Sequence, residues 1–313
     1  MIEWLVLTGL AAATLRVAAP LLLASLGETI AERAGMLNLG IQGAMLVGAF
    51  SGFMGAYFSG SLWIGLASAI IGGVLTTLLF GILVINLDLD QVVSGLAINL
   101  LASGLTLYFT RLLFTGGVSP YLGDLFGPLP IPILCDIPVL GEVLFSQTGF
   151  VYLGLISVPL IYVLLTKTTF GLRLRSIGED PVIASYLGIN VAKMRYAALL
   201  AEGILAGLAG GLLTISMFNT FDPRIVAARG FVAVSIVILG RWNPWGALVG
   251  SLLFGFTEAL SLRIGILFPE LSGASMNQLF ALLPYLVALV ALVVGGRGVR
   301  GPASLGKRIG RDR

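Results

Sequence analysis

The sequence predicts an all-α, polytopic integral membrane protein, and three observations carry that prediction. Hydrophobic residues fill 58% of the 313 positions and charged residues only 11%, less than half the charged share of ordinary soluble domains. The mean hydropathy is +1.03. The apolar residues also form continuous runs rather than alternating ten-residue strands, which selects helices over a barrel. A soluble globule of this composition would expose large apolar patches and aggregate, so cytosolic enzymes and nucleic-acid binders are excluded. The chain has no histidine and a single cysteine, Cys135. Serine-type triads, most zinc sites, cysteine metal clusters and an intramolecular disulfide are therefore ruled out.

Crossing about 30 Å of hydrocarbon takes roughly 20 apolar residues in a helix. On that measure spans fall near 5–26, 40–59, 61–85, 91–114, 149–166, 196–217, 230–241, 244–262 and 277–296, about nine with a range of eight to ten. The first follows Glu3 with no basic flank, so it is expected to be a retained span and not a cleaved signal. After it, Glu28–Gly43 (ETIAERAGMLNLGIQG) inserts three charges, three glycines and an asparagine into an apolar block. Such a break is tolerated at membrane depth only when buried in protein or lining an aqueous cavity; the alternative is an ordinary cytoplasmic turn. The third span opens with Ser61-Leu62-Trp63-Ile64-Gly65 and the eighth with Asn243-Pro244-Trp245-Gly246, each continuing with closely spaced glycines. That echo predicts an inverted repeat, 1–114 against 196–296, about a bridging span at 149–166. On the sixth span Gly203, Gly207, Gly210 and Gly211 form a stripe for close helix packing. The seventh is too short to cross alone and reads as a half-helix, with Trp242 and Trp245 behind it as interfacial anchors.

Basic residues set the orientation. With the C-terminal tail 297–313 in the cytoplasm, 13 of the 18 Lys and Arg residues fall on the cytoplasmic side, and only Arg224, Arg229 and Arg263 fall outside. The long loop 115–148 carries Asp124, Asp136 and Glu142 without one Lys or Arg, and is expected to be external. The loop 167–195 holds five basic residues and is expected to be cytoplasmic. Within it Asp180-Pro181 can start a helix and Gly188 can stop it, giving about two turns near 181–187. That helix exposes Ile183, Ala184 and Leu187 either to a groove on a partner protein or to anionic lipid. Gly301-Pro302-Ala303-Ser304-Leu305-Gly306-Lys307-Arg308 nearly spells a phosphate-binding loop. It lacks the Ser or Thr after the lysine that magnesium needs, so the tail reads as solvated and basic.

Ionisable groups at membrane depth are costly. Arg16 is expected to pair with Glu202 or Glu258, either locking helices together or touching a substrate. Asn38, Gln42, Asn99, Asn277 and Gln278 are neutral hydrogen-bonding groups near broken or glycine-rich helices. They either line a path for a hydroxyl-rich solute or bond neighbouring helices.

Five stretches in order, ERAGMLNLGIQGAMLVGAF, DQVVSGLAINLL, GLRLRSIGEDPVIASYLGINVAKMRY, RGFVAVSIVILGRWNPWGALVGSLLFG and LLPYLVALV, cover nearly the whole chain. In them the chain resembles the permease subunit of bacterial ABC importers for simple sugars and nucleosides, in the branched-chain amino acid/ribose permease superfamily. It is most similar to the shorter of two paired permeases in nucleoside-type importers. The resemblance implies a translocation subunit of the bacterial cytoplasmic membrane that makes and breaks no covalent bond. It also implies that Gly178, Glu179, Asp180, Pro181, Ile183, Ala184, Leu187 and Gly188 form a coupling helix and its flanks, seated on a separate ABC ATPase. That ATPase, often a tandem fused chain, would use the ATP and magnesium, and this chain would bind no cofactor. A second homologous permease in a heterodimer and an external substrate-binding lipoprotein complete the implied partners, with membrane lipid around them and no nucleic acid. Two departures stand out: Gln42 replaces the family's usual acidic residue, and Asp180 with Val182-Ile183-Ala184 replaces its Asn-Pro-Ala-Ala pattern. The contrasting expectation is a self-sufficient, ion-coupled secondary transporter, against which the scarcity of mid-membrane carboxylates stands.

Overall fold

The computed structural model describes residues 2–267 except 133, 136 and 138, scattered positions between 282 and 293, and residues 300–307. Ten helices follow in order: α1 (Ile2–Arg33), α2 (Ile41–Ser59), α3 (Leu62–Gly81), α4 (Gln91–Leu113), α5 (Gly149–Lys167), α6 (Thr169–Glu179), α7 (Pro181–Tyr186), α8 (Val191–Leu212), α9 (Arg229–Leu239) and α10 (Pro244–Leu267). Seven stretches among the described residues are long and apolar enough to cross a bilayer: Thr8–Arg33, Ile41–Ser59, Leu62–Asn86, Gln91–Leu113, Gly149–Lys167, Val191–Phe218 and Pro244–Arg263. α9, with 11 residues, is the short helix that its apolar run required. The span expected at 277–296, with Asn277 and Gln278, falls mostly outside the described residues.

Local chemistry explains several boundaries. α2 stops because Gly60 takes a left-handed φ of 66° while its N–H returns to the Ala56 carbonyl. α4 starts where the Asp90 carboxylate accepts from Val93 N–H, and α8 where the Asn190 side chain accepts from Lys193 N–H. α3 and α8 each run on into a π-helical turn, Ile82–Asn86 and Leu213–Phe218.

α8 is the central helix, packed against α1, α2 and α3. Of its span 78% is buried, against 28% for α4 at the periphery. The glycine stripe makes this possible. A Cβ on Gly48 of α2 would lie 2.8 Å from the Gly207 Cα, and one on Gly73 of α3 would lie 2.6 Å from the same atom. Three backbones therefore meet at Gly207 with no room for a side chain. At the other extreme Leu100 and Leu112 of α4 and Ile156 and Leu160 of α5 stand exposed, as lipid-facing positions do when no hydrophobic drive favours burial over hydrocarbon.

The loop 115–148 is strapped across one end of the bundle. Leu122 N–H donates to Asn219 O at 2.9 Å, Phe126 N–H to Ile215 O at 3.1 Å and Leu129 N–H to Gln147 O at 2.8 Å. Two of these acceptors belong to the irregular end of α8, whose π turn and left-handed Asn219 free carbonyls from the regular ladder.

Gly207→Val should therefore cost more than the ~1–3 kcal/mol typical of overpacking, because the obstruction is backbone on two sides. Gly104→Val, where an added Cβ meets nothing within 4 Å, should leave stability unchanged. Thermal unfolding of the two variants in detergent or nanodiscs measures the contrast.

Candidate functional site

The loop 167–195 holds two helices where the sequence predicts one. Thr168 caps α6 by accepting from Gly171 N–H at 3.1 Å. Gly171, Leu174, Ile177 and Gly178 form its buried face, at a spacing of one helical stripe that the sequence already displays. Asp180 then caps α7, its Oδ1 accepting from Val182 N–H at 2.9 Å and Ile183 N–H at 3.0 Å, with Pro181 in the first turn. Gly188, at φ +81°, reverses the chain. Ala184 corrects the expected docking face: it is 1% exposed and packs into the cluster around Ile30, Leu165 and Ile177. The face left open is Ile183, Tyr186 and Leu187, 58%, 86% and 75% exposed.

Beneath this loop lies the break between α1 and α2, and it is buried in protein rather than a solvated turn. Glu28, Glu32 and Asn38 are 0%, 0% and 1% exposed. Glu28 Oε1 accepts from Asn38 N–H at 3.2 Å, and Asn38 Nδ2 donates to Glu202 Oε1 at 2.7 Å. Asn38 thus links the Glu28 and Glu202 carboxyl groups. Trp242 is buried, with its indole N–H on the Glu32 carboxylate. This corrects its expected role as an interfacial anchor, which Trp245, 48% exposed, remains free to fill. Arg195, 2% exposed, donates to Ala34 O at 3.4 Å, and Arg33 donates to Trp242 O at 2.9 Å.

The amides expected near a substrate path have their bonds around this break. Asn38 Oδ1 accepts from Gly40 N–H at 2.9 Å. Asn99 Oδ1 accepts from Gly43 N–H at 2.7 Å while its Nδ2 donates to Leu39 O at 2.8 Å. Gln42 Oε1 takes the Gly230 N–H at 2.8 Å, satisfying an amide in the first turn of α9. Asn99 and Gln42 thus hold backbone of another segment, whereas Asn38 braces its own turn and bonds the Glu202 side chain.

The expected ion pair of Arg16 with Glu202 or Glu258 is not formed. Glu202 is taken by Asn38. Glu258 pairs with Arg229 at the start of α9, which also donates to Ile225 O. Arg16 instead donates from Nε to Gln147 Oε1 at 3.0 Å. The physical reason is placement: Arg16 is exposed beside the strap, away from the buried carboxylates at the other end of α1.

The tail also departs from expectation, since part of it is built into the fold. Ser304 is 5% exposed, with its hydroxyl on Gly178 O at 2.7 Å and its N–H on the same carbonyl at 2.9 Å. The Gln91 side chain donates to Lys307 O at 2.9 Å and accepts from Leu37 N–H at 2.6 Å. Residues 300–307 thus stitch the end of α6 to the break and to α4. Serine in a basic, glycine-rich tail carries no local signal of this.

The sequence profile of the family described as "Branched-chain amino acid transport system / permease component" matches residues 10–292. The chain belongs to this permease family. The guanosine ABC transporter permease protein NupQ of Bacillus subtilis is 37% identical over 289 residues, covering 90% of this chain and 89% of the relative. The nucleoside ABC transporter permease protein NupC of Lactococcus lactis is 33% identical over 282 residues, 88% of each chain. A Haloferax volcanii relative, named provisionally as a glucose ABC transporter permease protein, is 36% identical over 302 residues, 91% of this chain and 90% of its own. The permease is a multi-pass translocation subunit of an ABC importer and not an enzyme. Membership of such a family implies an ATPase and a substrate-binding protein as partners, and the ion-driven, self-sufficient alternative falls away.

In the permease, Ser304→Ala removes the one hydroxyl proton that Gly178 O and Ile177 O share, at about 0.5–1.5 kcal/mol. Hydrogen exchange across residues 171–188 should rise in this variant while exchange in α2 and α8 stays as in the parent chain.

Proposed function

We propose that this permease passes a nucleoside through the cytoplasmic membrane and that α7 is the helix through which a separate ATPase drives it. The reading rests on one observation above the others. α7, started by the Asp180 cap, is fastened to the bundle by Ala184, yet turns Ile183, Tyr186 and Leu187 outward as a compact apolar face. A short helix anchored on one side and bare on the other is suited to a partner groove. Gly178 adds a rigid link, since a Cβ there would meet the Arg33 carbonyl oxygen at the break. Force on α7 would thus reach α1, α2 and α8 through packed backbone.

In this reading the basic face carrying α6, α7 and the tail is cytoplasmic and the strap 115–148 external, as the charge asymmetry requires. ATP and magnesium act in the partner, and this chain binds no cofactor. A second, homologous permease forms a heterodimer with it, and a lipoprotein delivers substrate outside. The halves 1–114 and 196–296 are inverted relatives about α5. Their hairpins α2–α3 and α9–α10 support this, because both close through glycines: Gly65 on Gly52 and Ala56, Gly246 on Gly240. Two relatives named for guanosine and nucleoside transport favour a nucleoside. The relative named for glucose favours a simple sugar as the second reading.

Ile183→Asp and Leu187→Asp place a charge on the bare face and should abolish co-purification of the ATPase and substrate uptake while leaving the permease folded. Ala184→Asp, buried, should lower the amount of folded permease instead. Normal ATPase retention and uptake in both surface variants would refute the coupling role of α7.

A further inference from the structure

Arg16 lies near the middle of α1 and lines a chamber of about 370 Å³ beneath the strap. The volume is within the range of small-molecule sites. Phe126 of the strap, Thr148 at the start of α5, and Leu212, Ser216 and Met217 at the end of α8 complete the part of the wall that matters here. Among the described residues no acidic side chain lines it.

The arginine is aimed, not loose. The buried Gln147 donates from Nε2 to Val143 O at 2.7 Å and Glu142 O at 3.3 Å, which leaves its Oε1 for Arg16 Nε at 3.0 Å. Gln147 is itself clamped, because Tyr152 Oη accepts its N–H at 3.1 Å and Leu129 N–H donates to its carbonyl at 2.8 Å. The bond from Nε sets the plane of the guanidinium. Its two terminal nitrogens make no hydrogen bond among the described residues. Arg16 thus brings a planar fork of donors to the lining of a chamber that has one aromatic side chain, Phe126, and, among the described residues, no counter-charge. Thr148 does not spend its hydroxyl on capping α5, and Ser216 offers a second hydroxyl, held at 3.4 Å from Phe126 O. The adjoining π turn, Leu213–Phe218, gives this end of α8 the irregular backbone that often marks functional positions.

We propose that this chamber is an outward-side station for the transported nucleoside, in which Arg16 reads the acceptor edge of the base and Gln147 positions Arg16. The inference rests on the nucleoside reading above. Guanidinium has donors only, so it matches a base whose edge presents a carbonyl oxygen beside a ring nitrogen, as in guanine or hypoxanthine. An adenine places an amino donor where that carbonyl stands. The hydroxyls of Thr148 and Ser216 serve the ribose, and the apolar wall takes the ring face.

The test is uptake by the complete transporter, with its ATPase, second permease and binding protein, in proteoliposomes. Inosine and adenosine, which differ at one substituent of the base, are supplied separately at saturating concentration. Wild type should favour inosine. Arg16→Ala should reduce the inosine-to-adenosine rate ratio about tenfold, the loss of one hydrogen bond to a charged group. Arg16→Lys, which keeps the charge without the fork, and Gln147→Leu, which frees the arginine, should each reduce the ratio by less. A ratio cancels differences in the amount of assembled transporter. Wild-type uptake of inosine with an unchanged ratio in Arg16→Ala would overturn the station alone. Loss of both nucleosides to the same degree would show that Arg16 serves only structure, and would overturn it as well. No nucleoside uptake by wild type would overturn the nucleoside reading and the station with it.

Discussion

The structure turns on a stretch of backbone that has left the helix inside an apolar interior. Between α1 and α2, residues 34–40 include amides and carbonyls outside any regular ladder, and most of this segment is buried. In such surroundings each unsatisfied group costs as much as a broken hydrogen bond or more. The surrounding polar residues are organised to meet that demand. Glu28, Asn38, Gln91 and Asn99 supply acceptors and donors to Leu37, Asn38, Leu39, Gly40 and Gly43, and Arg195 covers Ala34. The carboxylates follow from the same demand. Glu28 is drawn inward by the Asn38 amide, Glu202 by the Asn38 side chain, and Glu32 by the Trp242 indole.

Because those partners come from α1, α4, α8, the α9–α10 turn and the tail, the break is also where the bundle is tied together. The loop bearing α6 and α7 inherits its position from it. Gly178 rests on the Arg33 carbonyl, and Ser304 bridges Gly178 to a segment that also packs against Gly35. The end of α6 thus meets the end of α1 backbone against backbone. Packed interiors transmit strain because they are dense and deform little. Glycine contacts at Gly48, Gly73 and Gly207 carry the same stiffness through the middle of the bundle.

The opposite end is built on a different plan. There the strap is held by backbone hydrogen bonds to the irregular end of α8, and the polar side chains are fewer and more open. Arg16 remains without a carboxylate while a buried glutamine fixes its orientation. Charge at one end is consumed by structure, whereas at the other a donor is left facing space.

Much of this fold was legible in the residues alone. Continuous apolar runs located the seven long spans and the short α9 because, in hydrocarbon, length and composition leave a segment few alternatives. Asp180-Pro181 and Gly188 marked α7 because capping and left-handed turns are local chemistry that needs no tertiary partner. The buried stripe of α6 was equally present in its spacing. What the chain order could not declare were pairings between distant residues. Arg16 takes Gln147 and not a carboxylate, Glu258 takes Arg229, Trp242 turns inward to Glu32, and Ser304 leaves a basic tail to bind Gly178. Each is settled by which helices the glycine contacts bring together and by where the broken backbone needs a partner. Local sequence determines the helices, their caps and the apolar lengths that cross the membrane. Only the tertiary structure decides which polar group meets which, because a buried donor takes the acceptor that packing leaves within about 3 Å.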